Sequence, residues 1–433
     1  MRVLHLSDVH IGVENYGRPA TEADIAALPE YFAPGVERGQ YVGMSTRMLD
    51  FLATLDQAVD HALRNDVDLV LFAGDAYKSR DPSQTHQREF ARRIARLADA
   101  GVTVFLTVGN HDLPHVANRA TALEIFPTLS VANVTVGATL ETYRVETRAG
   151  AAQVVALPWI RISLFMARDE TRGLTLEQIK EAIEGRLTEH LQEEAEKLDP
   201  ALPSFLCGHV TVAGATVASE RSMMLGNDHT LGLSTLANPA FDYVALGHIH
   251  KAQVLTQHPP VVYPGSLQRI DFSEEAHDKG FYVVDVDGSK ERGERIAEMT
   301  FVPVSARPML TISAQTRPGA DPTETAVGEI GKHATELDQA IVRLRVSMDA
   351  EQEPAFNETT VRQALSPAHH IAGIERQVRR DRRTRLGSDD AERLGPMEAL
   401  QRYFESRNMP EERERTLTAH AERLLREELE GAE

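Results

Sequence analysis

The feature that most constrains the fold of this 433-residue chain is a series of short apolar segments that each end in histidine or acidic residues. VLHL runs into SDVH, DLVLF runs into AGD, and VTVFL runs into TVGNHD. Further along the chain, PSFLC runs into GHV and FDYVAL runs into GHIH. Short apolar runs bounded by turn residues predict buried β-strands. The sequence therefore predicts five strands that finish in chemically similar clusters.

Segments with a helical period separate these strands. MLDFLATLDQAVDHAL and residues 84–100 both predict amphipathic helices. Strands that alternate with helices are typical of an α/β domain whose sheet is covered on both faces. Ligands of such sheets bind at the carboxyl ends of the strands. We therefore expect the five clusters to converge on one rim.

The predicted rim collects side chains that suit a metal site. They are Asp8, His10, Asp75, Asn110, His111, His209, His248 and His250. This mixture of oxygen and nitrogen donors favours Mn, Fe or Zn over Ca or Mg. Seven ligands are too many for one ion with an open position, but they suffice for two ions if one carboxylate bridges. Two ions about 3.5–4 Å apart can activate a water molecule and clamp the oxygens of a phosphoryl group. His111, if its pKa is near the unperturbed value, is the candidate acid or charge stabiliser.

Five other residues have simpler interpretations. His5 alternates within the first strand and is expected to pack there, and Cys207 is expected to be a small core residue. His61 and His86 fall in helical segments and are expected to face solvent. Asp112 can either orient His111 through a hydrogen bond or cap the following turn.

The bulk composition bounds the class of protein. The net charge of −19 argues against a general nucleic-acid coat protein. It does not exclude a nuclease, because bound metal ions supply the positive charge that meets a phosphate. The single cysteine fits a reducing compartment. The start MRVLHLSDVH does not resemble a signal peptide, and no apolar run approaches the ~18–20 residues of a membrane span. We expect a cytoplasmic protein that does not contact a membrane.

The ordered set D-x-H, G-D, G-N-H-D, G-H and G-H-x-H resembles the signature of the calcineurin-like metallophosphoesterase superfamily. Within it, AGDAYKSRDPSQTHQREFARRIARL, LGHIHKAQVL and VYPGSLQRIDFSEE resemble the SbcD group of bacterial double-strand-break repair nucleases. The resemblance covers about residues 1–300 well and the remainder weakly. It implies an α/β fold, a four-layer αββα sandwich, with a dinuclear site.

The resemblance also implies which residues hold the two ions, for which the family usually uses Mn²⁺. One ion would be held by Asp8, His10, Asp75 and His250. The other would be held by Asp75, Asn110, His209 and His248, so that Asp75 bridges. His111 would serve the transition state.

Two features depart from the family pattern. Residues 14–41 form an insertion beside the rim, which is a specificity loop, an interaction surface or neither. Lys78 stands where many relatives carry a histidine that assists the exonuclease reaction.

The composition changes after residue 300, and we divide the chain into a phosphoesterase domain (1–300), a small α+β domain with an Arg-rich linker (301–385) and a helical region (386–433). The resemblance implies that the second part is a DNA-capping domain and that the third binds the ATPase subunit. QAIVRLRVSM reads as an alternating strand of the second part. Residues 376–385, with six arginines, either grip phosphates or form a solvated linker or strand edge. GPMEALQRYFESRN and PEERERTLTAHAERLLREELEG predict two amphipathic helices that either fold back or dock on a partner.

The residues at the strand ends predict a two-metal phosphoesterase, and the resemblance implies that it cuts duplex DNA ends as an exonuclease and single strands or hairpins as an endonuclease. The resemblance implies an SbcC-like ATPase with a coiled coil as the partner, and a homodimer through the nuclease domain. Two rival functions stay open. A phosphatase or small-molecule phosphodiesterase should lack the cap and the terminal helices, and a non-catalytic scaffold should have lost ligands.

Overall fold

The structure is a computed structural model that describes residues 1–114, 119–161, 175–217, 230–379 and 413–421, together with residues 397, 400, 401 and 404. The first strands are β1 (Arg2–Leu6), β2 (Leu69–Phe72), β3 (Thr103–Thr107), β4 (Val134–Gly137), β5 (Thr142–Thr147), β6 (Gly150–Leu157), β7 (Ser204–His209), β8 (Thr211–Val212) and β9 (Thr230–Leu231). They are followed by β10 (Tyr243–Gly247), β11 (Gln253–Gln257), β12 (Pro260–Tyr263), β13 (Gly280–Val286), β14 (Ile296–Pro303), β15 (Met309–Gln315), β16 (Ile341–Asp349) and β17 (His370–Arg379).

Helices connect most of these strands. They are α1 (Glu22–Ala26), α2 (Thr46–Arg64), α3 (Gln84–Asp99), α4 (Ile125–Thr128), α5 (Leu176–Lys197), α6 (Leu233–Leu236), α7 (Pro322–Lys332), α8 (Ala334–Leu337) and α9 (Glu358–Ala364). The predicted helix at 84–100 is confirmed as α3, which begins where the Ser83 hydroxyl accepts a hydrogen bond from the backbone N–H of His86. Within the described part of the chain, no helix is long and apolar enough to cross a membrane.

Two six-stranded sheets form the main body. The first has the order β14-β13-β1-β2-β3-β4, and its four strands from β1 to β4 are parallel. The second has the order β11-β12-β10-β7-β6-β5, and its four central strands are parallel. The parallel centre of each sheet carries the near-continuous apolar runs of the sequence, as expected for strands that are buried on both faces.

Three apolar cores fix the order of the layers. Val3, Leu71 and Phe105 of the first sheet pack against Phe205 and Ala245 of the second, which defines a core between the sheets. The outer face of the first sheet packs on α2 and α3, and the outer face of the second packs on α5. The predicted four-layer αββα sandwich is therefore confirmed.

Between the sheets lie two side chains that the sequence pattern predicts to be packing residues. His5 is fully buried, with its imidazole Nδ1 2.9 Å from the Tyr243 hydroxyl and its Nε2 3.2 Å from the Leu246 carbonyl. Cys207 is also fully buried. Both predictions are confirmed.

The third sheet, β15-β16-β17, is small and all parallel, with α7, α8 and α9 in its crossovers. β16 alternates between buried and half-buried residues, which confirms the strand predicted from QAIVRLRVSM. Arg307, in the connection to this sheet, binds both carboxylate oxygens of Asp50 on α2 at 2.7 Å each. Thr311 of β15 donates its N–H and hydroxyl to Glu275, at 2.6 Å each. The small sheet is thus tied to the main body by charge-assisted hydrogen bonds.

The insertion at residues 14–41 packs into the core beneath α2 and α3. Phe32 and Tyr41 are buried there, and the Tyr41 hydroxyl donates to the Glu89 carboxylate at 2.9 Å. The N–H of Ala33 donates to Asp56 at 3.0 Å. The insertion is therefore a structural support of the helical layer in this protein.

Asp56 is the centre of a buried ionic network. It is fully buried and accepts hydrogen bonds from Arg93 at 2.5 Å and Arg96 at 2.7 Å. We predict that Asp56→Ala lowers the free energy of unfolding by about 3–5 kcal/mol, because it leaves the Arg93 charge buried without this partner. Asp60→Ala on the same helix removes only the solvent-screened pair with Arg64 and should cost less than about 1 kcal/mol. Urea unfolding of the two variants measures the difference, and equal midpoints would contradict the prediction.

The Arg-rich run begins inside a strand. Residues 376–379 are the end of β17, an edge strand, and the Arg379 guanidinium donates to Asp349 at 2.9 Å. Residues 376–379 therefore form a strand edge, which was one of the alternatives for this segment. Residues 380–385 lie outside the described residues. In the predicted terminal helices, the described residues 397, 400, 401, 404 and 413–421 are all helical.

Candidate metal centre

The predicted metal-binding side chains lie together at the carboxyl ends of five strands. Asp8 and His10 follow β1, Asp75 follows β2, and Asn110 and His111 follow β3. His209 ends β7, and His248 and His250 follow β10. The two sheets meet here, because the N–H of Trp159, which follows β6 of the second sheet, donates to the carbonyl of Val108, which follows β3 of the first sheet, at 2.9 Å. Asp8, His10, Asp75, His209, His248 and His250 are all buried.

The first group of donor atoms surrounds a point between Asp8, His10 and His250. The Nε2 atoms of His10 and His250 are 3.0 Å apart, and they lie 3.8 and 3.9 Å from Asp8 Oδ1. Asp75 Oδ2 lies 3.7 Å from His10 Nε2. Atoms bound to one ion at about 2.0–2.2 Å are themselves roughly 3–4 Å apart. The four residues therefore have the separations of ligands to a common ion.

The second group is centred on the side-chain oxygen of Asn110. His209 Nε2 lies 2.9 Å and His248 Nδ1 lies 3.1 Å from Asn110 Oδ1. Asp75 Oδ2 lies 3.4 Å from His209 Nε2, so this one oxygen atom faces both groups. A single oxygen between two sets of donors is the arrangement expected of a bridging carboxylate.

The hydrogen bonds around His209 show that these residues fit a cation. Its Nδ1 lies 2.7 Å from the carbonyl of Ala73, which can only accept, so Nδ1 carries the hydrogen. The lone pair of Nε2 in the neutral ring then points at the oxygens of Asp75 and Asn110. Three electron-rich atoms directed at one another need either a proton or a metal ion between them. The donor set is therefore chemically suited to divalent metal ions.

The electrostatics of the centre lead to the same conclusion. Burial raises the pKa of Asp8, while the neighbouring His209 and His250 act to lower it. Burial also acts to raise the pKa of Asp75, but His209 and His111 hold it well below the usual range. Burial acts to lower the pKa of His209, yet the Asp75 carboxylate raises it to about 9. In the absence of a metal ion, the centre attracts a proton to His209.

A pH dependence follows from this competition. The ion must displace the proton of His209, whose pKa is about 9. We predict that the affinity for Mn²⁺ falls as the pH falls below about 9, by up to ~10-fold per unit for one displaced proton. Titration calorimetry between about pH 6.5 and 8.5 in buffers of different ionisation enthalpy measures both the affinity and the protons released. A constant affinity without proton release would contradict the prediction.

The backbone of several candidate ligands adopts the left-handed conformation, with positive φ angles. Four of the seven candidate ligands have positive φ angles, namely Asp8 (53°), His10 (48°), Asp75 (60°) and His248 (97°). Such angles are unfavourable for residues with side chains, and they cluster at functional sites. The motif GNHD requires a glycine at position 109, because a Cβ there would clash with Asp75 Oδ1. The strand ends are thus shaped to direct side chains into the centre.

His111 lies at the edge of the centre rather than in its middle. Its Nδ1 donates to the Lys78 carbonyl at 2.7 Å, and its ring packs edge-on against His10 at 5.0 Å. Burial lowers its pKa, and the nearby charges of Lys78 and His209 add to this effect, while Asp75 opposes it. The condition under which His111 was a candidate acid, a pKa near the unperturbed value, is therefore not met. His111 also comes close enough to His10 and Asp75 to share a metal ion with them.

Two predictions about neighbouring residues need correction, and one of the two alternatives left open for Asp112 is excluded. Asp112 does not orient His111, since it accepts hydrogen bonds from the backbone N–H groups of Asp75, Ala76 and Gly109 at 2.9, 3.0 and 2.9 Å. Asp112 thereby joins the loop that follows β2 to the loop that follows β3. His61 and His86 do not face solvent freely. Both are half-buried, and the His61 ring packs against Phe281.

Sequence reasoning missed two residues that contact the centre. The carboxylate of Glu274 lies 2.9 Å from His250 Nδ1 and is fully buried. The signal was present, since Glu274 belongs to the motif VYPGSLQRIDFSEE, but nothing in the sequence connected it with His250. Trp159, the only tryptophan of the chain, packs on His248 with 4.8 Å between ring centroids.

Comparison with known proteins identifies the family of the chain. The sequence model of the family described as calcineurin-like phosphoesterase matches residues 1–252. The chain is 29% identical over 307 residues to the SbcD component of the SbcCD nuclease of Rhodobacter capsulatus, which covers 66% of this chain and 67% of the relative. It is 26% identical over 297 residues to the same component of the nuclease from Escherichia coli K12, with coverages of 67% and 66%. A solved structure of a dimetal phosphatase from Danio rerio aligns with 70% of this chain and 99% of its own at 14% identity, with a TM-score of 0.34.

The chain therefore belongs to the calcineurin-like phosphoesterase family, whose model matches more than half of its length. The resemblance to SbcD-type nucleases within that family, predicted from the motifs, is confirmed by these relatives. The aligned region spans about two thirds of each relative's length. Membership of this family, together with the clustered ligands, makes the chain a phosphoester hydrolase that uses divalent metal ions.

Proposed function

We propose that this chain is a DNA nuclease that hydrolyses phosphodiesters with two metal ions, cutting duplex ends exonucleolytically and single strands or hairpins endonucleolytically. The observation that carries the proposal is the position of Asp75 Oδ2, which lies 3.7 Å from His10 Nε2 and 3.4 Å from His209 Nε2. One carboxylate oxygen between two donor groups supports two ions rather than one. Two relatives are named as nuclease subunits, and a relative from Aeropyrum pernix is named as a DNA double-strand break repair protein, which supports DNA as the substrate.

In this proposal, Asp8, His10, Asp75 and His250 hold one ion, and Asp75, Asn110, His209 and His248 hold the other. Bound Mn²⁺ ions would supply the positive charge that activates water and neutralises the phosphate. Asp75 keeps its place because its Oδ1 accepts the N–H of His111 at 2.8 Å. Nδ1 of His111 stays bound to the Lys78 carbonyl, and in this proposal Nε2 of the protonated ring donates its proton to the leaving oxygen. The bound phosphate anion favours the protonated form of the ring.

A cavity beside the centre supports a nucleotide substrate. It has a volume of about 470 Å³ and includes the ring of Trp159, which packs on His248. Leu113 and Pro158 add apolar walls. The charged side chains of the lining are Arg119, which pairs with Asp81 at 3.0 Å, Arg161 and Glu124, and Arg161 is the guanidinium group we propose for the phosphate. Aromatic rings stack on nucleobases, and guanidinium groups bind phosphates. We propose that the nucleoside next to the scissile phosphate lies in this cavity.

We further propose the division 1–300, 301–385 and 386–433 as nuclease, DNA-capping and ATPase-binding regions. The relatives are named as parts of the SbcCD nuclease, which supports an SbcC-like ATPase as the partner. Leu417 is 38% exposed on the helical segment 413–421, as expected for a residue that a partner covers.

Truncation after residue 386 tests the partner proposal. The shortened protein should lose binding to the cognate ATPase in a pull-down, while its hydrolysis of bis-p-nitrophenyl phosphate stays within about twofold of the full chain. The reason is that the proposed ligands all lie before residue 251. Retained binding would place the interface elsewhere, and lost hydrolysis would contradict the division.

The experiment for the nuclease activity uses two substrates. The purified protein with Mn²⁺ is incubated with end-labelled hairpin DNA and with bis-p-nitrophenyl phosphate. Cleavage of both supports the proposal. Hydrolysis of the small ester without DNA cleavage, even with the ATPase added, would favour a small-molecule phosphodiesterase or phosphatase, and no hydrolysis of either would favour a non-catalytic scaffold.

A further inference from the structure

We propose that Glu274 is a positioning residue that fixes the orientation of His250 for metal binding. The carboxylate oxygen Oε1 of Glu274 lies 2.9 Å from Nδ1 of His250, and both side chains are buried. The inference rests on the proposed metal centre, in which His250 is a ligand, and it extends that centre to a residue outside the ligand set.

The hydrogen bond selects one form of the imidazole. An ionised carboxylate can only accept, so Nδ1 of His250 must carry the hydrogen. The lone pair is then on Nε2, which lies 3.0 Å from Nε2 of His10 and 3.9 Å from Asp8 Oδ1. A carboxylate behind a histidine ligand fixes the tautomer and the ring orientation and raises the basicity of the ligand.

A buried lysine holds Glu274 in this position. Lys279 Nζ donates to Glu274 Oε2 at 2.6 Å, to Ser266 Oγ at 2.8 Å and to the His250 carbonyl at 3.0 Å. The Ile270 N–H donates to the same carboxylate oxygen at 3.1 Å. Glu274 and Lys279 are both at most 2% exposed. Because their charges are opposite and paired, they place no net charge in the interior. The network therefore binds His250 at two points, because Glu274 contacts its ring and Lys279 contacts its backbone carbonyl.

The turn that carries Glu274 packs directly on the strand end. Ser266 forms a bridge with Ser7, the residue before Asp8. Gly265 has a φ of 76°, and a Cβ there would lie 2.7 Å from the His250 carbonyl oxygen. This close approach explains why the segment after β12 requires a glycine. It also explains how a residue 24 positions after His250 reaches its ring.

The neighbouring residue Glu275 offers a matched control. It lies in the same turn and carries the same charge, but its carboxylate binds Thr311 of the small sheet at 2.6 Å. A change at Glu275 thus removes a hydrogen-bonded carboxylate from this segment without touching the imidazole.

The test measures Mn²⁺ binding by titration calorimetry, together with thermal unfolding of the metal-free protein. Glu274→Gln keeps an acceptor but loses the charge, and we expect the affinity of one of the two ions to fall about 3–10-fold. The double variant E274L/K279M removes acceptor and charge as a neutral pair, and we expect a fall of about 10–100-fold at that ion. The other ion, and both ions in Glu275→Gln, should keep their affinity within about twofold.

The outcomes separate this inference from the proposed function. If the wild-type protein binds no Mn²⁺, the proposed metal centre itself fails. If the wild type binds two ions and Glu274→Gln and E274L/K279M bind both as tightly, Glu274 has no positioning role. An equal loss at both ions, matched by a lower unfolding temperature, would show a merely structural role and would also overturn the inference. Should the double variant not fold, Glu274→Gln alone decides between these results.

Discussion

Replacement of Asp75 by asparagine is expected to lower the hydrolysis of bis-p-nitrophenyl phosphate by at least about 10³-fold. Asp75 Oδ2 faces both groups of candidate ligand atoms, so in the proposed two-metal centre the substitution weakens the binding of both ions. Its other oxygen accepts the N–H of His111 at 2.8 Å, and an asparagine oxygen can keep that bond. The loss should therefore come from the missing charge rather than from a changed fold.

The matched control is Asp285→Asn, the same chemical change in a half-exposed pair with Arg2. This variant should keep its activity within about twofold. Metal analysis of the purified proteins should find two ions per chain in the control and fewer than one in Asp75→Asn. An Asp75→Asn protein that keeps both ions and its activity would contradict the bridging role.

The second large effect is expected for His111→Gln. DNA cleavage should fall about 10²–10⁴-fold, because the variant cannot exchange a proton with the reacting oxygen. Hydrolysis of bis-p-nitrophenyl phosphate should fall by less than about tenfold, since p-nitrophenolate leaves without a proton. Measurement of kcat for the wild type and the variant on both substrates at saturating Mn²⁺ gives the loss of activity on each substrate, and these two losses are compared.

Metal binding by the same variant separates two roles of His111. The ring lies close to His10 and Asp75, and the three can share an ion geometrically. If His111 transfers a proton, the Gln variant keeps both ions with unchanged affinity. If it loses an ion, and both substrates slow equally, His111 is a ligand and the proton-transfer role is wrong.

The sequence predicts which side chains form the centre because each of them stands directly after a recognisable apolar strand. Each cluster directly follows an apolar strand, and parallel strands bring their carboxyl ends to one side. Asp8, Asp75 and Asn110 lie together because β1, β2 and β3 pair in parallel. His209 and His250 belong to the second sheet and reach them only because the two sheets pack face to face, which the strand pattern did not specify. The four-layer architecture followed from the resemblance carried by the same motifs.

Other features depend on contacts that no local pattern contains. The bond between Glu274 and His250 joins a short turn to a strand end, and the positive φ angles of Asp8 and His248 arise where two sheets meet. Burial likewise determined the pKa of His111, which its position in GNHD does not reveal. The all-parallel pairing of the small sheet was not specified by its composition either.

The insertion illustrates the same limit for packing. Its sequence left open a specificity loop, an interaction surface or neither, and the structure buries Phe32 and Tyr41 against the helical layer. The Tyr41–Glu89 hydrogen bond spans 48 residues, and its partner could not be identified from either segment alone.

The most direct test of the central claim is a crystal structure of the protein grown with Mn²⁺, with anomalous diffraction recorded at the manganese edge. The account predicts two anomalous peaks about 3.5–4 Å apart. Asp75 should lie between them, with Asp8, His10 and His250 at one ion and Asn110, His209 and His248 at the other. A single peak, or two peaks that do not share Asp75, would contradict the two-metal centre.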